Sequence, residues 1–108
     1  MSTEEQLLVI LCTVPDEDTA ERFATGLVEA QLAACVNVLG SVTSFYRWQG
    51  KLEHSAELQL LIKTPRGRFD ELARWINANH PYEIPEIVAI PAERVSEKYL
   101  RWALEQTR

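Results

Sequence analysis

Glycine is scarce in this chain, four residues in 108, and none of them builds a Gly-rich phosphate loop. The usual backbone cradle for a nucleotide is therefore missing. Basic charge is thin as well: 11 Lys and Arg stand against 16 Asp and Glu, a formal net charge of -5, and the basic residues are scattered. Nucleic-acid binding needs clustered cations to neutralise phosphates, so no nucleic-acid partner is expected. No apolar run approaches the length that spans a bilayer, which leaves no membrane partner expected either. The opening Met1-Ser2-Thr3-Glu4-Glu5-Gln6 is acidic and lacks the basic start of a secretory signal. The expected location is the cytoplasm. There the only two cysteines, Cys12 and Cys35, should be reduced, as buried thiols, metal ligands or reactive groups rather than a disulfide.

What is present suits one globular domain over residues 1–108, with 46% hydrophobic and 25% charged residues. Leu7 to Thr13 is a continuous apolar run, the pattern of a strand buried on both faces. Pro15 stops it and Asp16 is a plausible N-cap, with Glu17 and Asp18 favourable to the helix dipole. Ala20, Phe23, Ala24, Leu27 and Val28 then recur at helical spacing towards Leu32, and Cys35 to Val38 begins a second extended segment. From Ser41 to Thr64 the period is close to two on either side of Gln49-Gly50-Lys51, which reads as a long hairpin. Phe69, Leu72, Ala73 and Ile76 mark a second amphipathic helix to about Asn79. Glu86 to Ile90 reads as a fourth strand ended by Pro91, and Ser96 can cap a terminal helix with Tyr99, Leu100, Ala103 and Leu104.

The order β-α-β-β-α-β with an appended helix predicts an α+β, ferredoxin-like sandwich. Two helices cover only one face of such a sheet, yet the first strand is apolar on both. Its own terminal helix or another copy of the chain must cover the rest, so a self-assembling chain is expected. Tyr46 and Trp48, large aromatics near a hairpin tip, are the candidate interface anchors.

Between the second helix and the fourth strand lies His80-Pro81-Tyr82-Glu83-Ile84-Pro85-Glu86-Ile87. Two prolines make it stiff and non-helical, so it can hold an imidazole, a phenol and two carboxylates in place. In a ferredoxin-like sheet the first and fourth strands are antiparallel neighbours, which brings the end of one, at Cys12, beside the loop that feeds the other, at His80. A thiolate and an imidazole both suit copper or zinc by ligand softness. Two ligands do not close a site; Glu83, Glu86 or a neighbouring chain would have to complete it. Each residue also has a plainer reading: Cys12 as a small buried hydrophobe, His80 as a hydrogen-bonding brace. Glu57 and Lys63 share the polar face of the hairpin and, with Tyr82, Glu83 and Glu86, are candidates to line a cleft between copies. A Cys-His pair is also the minimum for nucleophilic catalysis, but no third orienting group accompanies it, and no enzymatic activity is expected.

Several stretches together carry a family resemblance: Leu11-Cys12-Thr13-Val14-Pro15, Leu32-Ala33-Ala34-Cys35-Val36-Asn37, Tyr46-Arg47-Trp48-Gln49-Gly50-Lys51, Ile62-Lys63-Thr64, the His80 to Glu86 loop and Tyr99-Leu100-Arg101-Trp102. From Leu7 to Trp102 the chain resembles the CutA divalent-cation tolerance proteins. The resemblance implies a ferredoxin-like homotrimer, similar in arrangement to the nitrogen-regulatory trimeric signal proteins. It implies a role in tolerance of divalent metals, copper (Cu2+) foremost with zinc or other divalent ions as alternatives, and metal ligation by Cys12 and His80. The chain departs from the family where metal-binding members often carry a second His, since Asn79 stands there.

Overall fold

The computed structural model describes residues 3–108 and is built on a four-stranded antiparallel sheet in the order β2-β3-β1-β4. β1 (Leu7–Val14) is the apolar run. Asp16 accepts from the Thr19 amide at 2.8 Å and from the Thr19 hydroxyl at 2.7 Å, and so starts α1 (Glu17–Glu29). The helix stops short of the expected Leu32 because Gln31 adopts a left-handed φ of 60°. The Thr64 hydroxyl then donates to the Leu32 carbonyl at 2.7 Å and ties this exit to the sheet.

β2 (Cys35–Trp48) and β3 (Lys51–Pro65) form the hairpin, six residues longer at its open end than the alternation suggested, since β2 already starts at Cys35. A register shift between Val38 and Ser41, with Gly40 at φ 99°, interrupts the period-two pattern there and hides the continuity. Gln49 and Gly50, at φ 51° and 81°, make the two-residue turn, both in the left-handed region that matches the strand twist. α2 (Phe69–Asn79) follows, then the proline loop, β4 (Val88–Pro91) and α3 (Glu97–Gln106), whose Ser96 cap accepts from the Tyr99 amide. β4 begins later than expected because Glu86 and Ile87 remain in the loop, and Pro91 is its last residue rather than the one after its end.

One face of the sheet carries the core. Leu8, Ile10, Cys12 and Val14 of β1 and Leu60 and Ile62 of β3 pack against Ala20, Phe23 and Leu27 of α1 and Leu72 and Ile76 of α2. Burying each of these larger side chains stabilises the fold by about 1.5–3 kcal/mol relative to exposure. α3 lies on the other face, where Leu7, Ala34 and Ala103 pack with Val95, Tyr99 and Leu100. Its cover is partial. Val9, Leu11 and Leu61 are half-buried, and Ile90 and Val88, the β4 partners of Val9 and Leu11, are exposed. Beyond the helices the hairpin projects as a bare ribbon carrying Phe45, Tyr46, Trp48 and Leu52, which gives the molecule its 45 Å long axis.

Candidate functional site

The loop from His80 to Ile87 folds over the end of β1, and the expected neighbourhood of β1 and β4 is realised: Leu11 pairs with Val88 and Leu8 with Pro91. α2 ends at His80, which turns extended at ψ 137° as the residue before a proline should. Its ring drops into the end of the core, only 9% exposed, edge-on to Phe23 with centroids 5.3 Å apart and beside Tyr82 at 4.7 Å.

Two hydrogen bonds hold the imidazole. His80 Nε2 lies 2.8 Å from the Thr13 carbonyl, and the Tyr82 amide donates to His80 Nδ1 at 3.1 Å. Further along the loop the Tyr82 hydroxyl donates to Glu57 Oε2 at 2.7 Å. Glu57 is 6% exposed, so the hairpin's supposedly polar face is closed at this position. Burial and the Glu57 bond push the Tyr82 phenol well above its ordinary range. Burial, and then the Glu57 charge, raise Glu86 above the usual carboxylate range. Gln59 donates to the carbonyls of Cys12 and Leu60 at 3.2 and 3.1 Å, pinning the strand ends beneath the loop.

Cys12, His80, Glu57, Tyr82 and Glu86 therefore gather at one end of the sheet. Lys63 does not join them. It lies six residues from Glu57 on the same strand, roughly 20 Å at the rise of an extended chain, with its Nζ 5.8 Å from the Tyr99 ring centroid. Glu83 is an exposed loop residue. Tyr46 and Trp48 sit on the projecting hairpin at 43% and 37% exposure. Sequence reasoning missed the Thr13 carbonyl, the Gln59 amide and the Phe23 edge: the first two depend on the β1–β3 register, which pairs Thr13 with Gln59, and Phe23 was legible only as part of the apolar stripe of α1.

The Cys12 and His80 side chains of one protomer do not fit a soft-metal centre. Cys12 is fully buried, and desolvation, aided by the charges of Glu86 and Glu57, pushes its thiol up to about 12. To ligate, the thiol would have to give up its proton in a fully buried, apolar setting. Both His80 ring nitrogens are already engaged. Among the described residues no three His, Cys, Asp or Glu come together as a metal cage requires. No helix among them is long and apolar enough to cross a membrane.

Comparison with known proteins agrees with this architecture. The divalent-cation tolerance protein CutA of Thermus thermophilus is 48% identical over 99 residues, 92% of this chain and 96% of that protein. The chloroplastic CutA protein of Arabidopsis thaliana is 39% identical over 94% of this chain, which spans 56% of the plant protein's length. The crystal structure of CutA1 from Oryza sativa superposes with a TM-score of 0.93 at 38% identity, covering 99% of this chain and 98% of that one. The sequence model of the CutA1 divalent ion tolerance proteins matches residues 8–106, nearly the whole of the fold just described, and the chain belongs to that family.

Proposed function

We propose that the protein serves divalent-cation tolerance by weakly binding copper(II), zinc or a related divalent ion, as a cytoplasmic homotrimer that catalyses no reaction. The observation that carries this reading is the 48% identity, over 92% of the chain, to a Thermus protein named for divalent-cation tolerance. The names of the relatives described above state tolerance or the CutA family and no reaction. The local charge favours the same conclusion: the repulsion felt by Glu86 from Glu57 in a partly desolvated site is relieved by a cation and worsened by an anion. Weakness follows from the incomplete donor set of a single protomer, which a neighbouring copy would have to extend. The trimer is supported by the half-covered apolar face at Val9, Leu11 and Leu61 and by the bare hairpin.

A second reading, a trimeric scaffold or signal protein that binds a small ligand or a protein between its copies, is favoured by that same exposed apolar ribbon. Calorimetric titration of the reduced, metal-free protein with zinc and then cupric ions separates the two. Saturable binding that Glu86→Gln weakens supports the cation reading. Absence of saturable binding overturns it in favour of the scaffold.

A further inference from the structure

We propose that His80 is a latch and not a cation ligand, its imidazole fixed as the neutral Nε2–H tautomer between the Thr13 carbonyl and the Tyr82 amide. The assignment follows from the fixed ends of the two bonds. A backbone N–H can only donate, so Nδ1 presents its lone pair to Tyr82 at 3.1 Å; a backbone carbonyl can only accept, so Nε2 presents a proton to Thr13 at 2.8 Å. A metal needs a ring lone pair. The lone pair of Nδ1 is occupied, and that of Nε2 exists only after its proton is lost.

Ligation at either nitrogen would also strand a backbone group. Binding at Nδ1 leaves the Tyr82 amide without its acceptor, and binding at Nε2 leaves the Thr13 carbonyl without its donor. The ring has little freedom to find another pose, with the Phe23 edge at 5.3 Å and the Tyr82 ring at 4.7 Å. The latch has a clear beneficiary. Two residues beyond His80, the Tyr82 hydroxyl reaches Glu57 on β3, so the bond from His80 to the Tyr82 amide helps to aim the phenol at the buried carboxylate.

The inference concerns the donors available to the proposed function but does not depend on that function, because the metal-free protein reveals the tautomer whether or not a cation binds. The test is a long-range proton–nitrogen correlation spectrum of histidine-15N-labelled, reduced, metal-free protein, followed by addition of zinc ions alone. His54, exposed on the hairpin, is the second imidazole, and a His54→Gln variant assigns the signals. The expected result is a protonated Nε2 and a bare Nδ1 at His80, unmoved by stoichiometric zinc. A protonated Nδ1, or zinc-induced movement of either His80 nitrogen, overturns the proposal.

Exchange of the Tyr82 amide supplies a second readout. His80→Asn sets an amide oxygen near the position of Nδ1 and should keep that proton protected, whereas His80→Ala should speed its exchange at least about ten-fold. Equal protection in both variants overturns the latch. If His80→Ala fails to fold, loss of protection in His80→Asn overturns it instead. Absence of calorimetric cation binding would remove the proposed function and leave these outcomes unchanged.

Discussion

The hydroxyl of Tyr82 donates to Glu57 Oε2 across 2.7 Å, so a proline-stiffened loop is bonded to a buried carboxylate on the third strand. Tyr82→Phe deletes that donor while keeping the ring. A hydrogen bond to a charged group contributes about 1.5–3 kcal/mol, and water can replace part of it at this half-buried position. Urea unfolding should show a loss of about 1–2 kcal/mol, and an unchanged midpoint would show that the bond is not made in solution.

Glu86 gives the pH dependence a definite sign. Its folded value lies above the ordinary 4.5, through desolvation first and the Glu57 charge second, with Cys12 the other titratable group beside it. A carboxyl that holds its proton more tightly when folded stabilises fully below the unfolded value. That contribution is lost as pH rises through the folded value. Glu86→Gln should therefore match the parent protein below about pH 4 and become progressively more stable than it between there and neutrality. Denaturant midpoints taken along a pH series decide this, and a gap independent of pH would refute it.

Cys12 and Cys35 should differ sharply towards a thiol reagent. With its thiol near 12, Cys12 holds roughly one part in 10⁵ as thiolate at neutral pH, and it is fully buried. Cys35 is half-buried. Mass-resolved alkylation should label Cys35 at least about ten-fold faster, with Cys12 reacting only as the domain opens. Rapid labelling of Cys12 in the folded protein would revive a nucleophilic role.

Gly26 lies against Trp75, whose Cζ2 would stand 2.5 Å from an added Cβ. Alanine gains about 1 kcal/mol of helix propensity, while forcing a methyl into a filled contact costs about 1–3 kcal/mol. Trp75 is half-buried and packed edge-on against Phe23 at 5.1 Å, so moving the indole aside gives up that contact. The clash should win, and Gly26→Ala should lower the thermal midpoint; a rise would mean that the indole moves freely.

Assembly should respond to the open face and not to the thiol. Ile90→Glu places a charge on that face, where the parent side chain is 47% exposed and can tolerate the change within a lone protomer. Trp48→Ala removes an anchor from the hairpin. Sedimentation velocity should show both variants shifted towards the monomer, while Cys12→Ser sediments as the parent does. A parent protein that sediments as a monomer would refute the trimer.

Much of this fold was legible because local signals and tertiary packing agree. The apolar run of β1, the Asp16 cap and the helical stripes of Phe23–Leu27 and Leu72–Ile76 each specify what they become. Boundaries slipped where backbone conformation decided them, at Gln31 and Gly40, since a left-handed residue leaves little trace in a hydrophobic pattern. The site was legible as a neighbourhood and not as chemistry. That Cys12 and His80 lie at the same end of the sheet follows from topology. That Thr13 and Tyr82 occupy both imidazole nitrogens depends on main-chain atoms, which residue types do not reveal. Glu57 and Lys63 share a face by alternation, and six strand residues already set them roughly 20 Å apart; what alternation does not show is that Glu57 is buried.

The two borders of the sheet are unequal. β2 presents 14 residues at one border, whereas β4 presents four at the other and ends on a proline, which has no amide proton to donate. A filament built by adding strand to strand needs a receptive border on each side of every unit, so that one copy's leading side meets the next copy's trailing side. β4 is too short to be that second border, but the outer half of β3, Lys51–Glu57, which β1 does not pair, is free. The ribbon thus carries a strand border on each side, β2 on one and Lys51–Glu57 on the other, so any strand-on-strand association of this chain runs through the hairpin and not through β4.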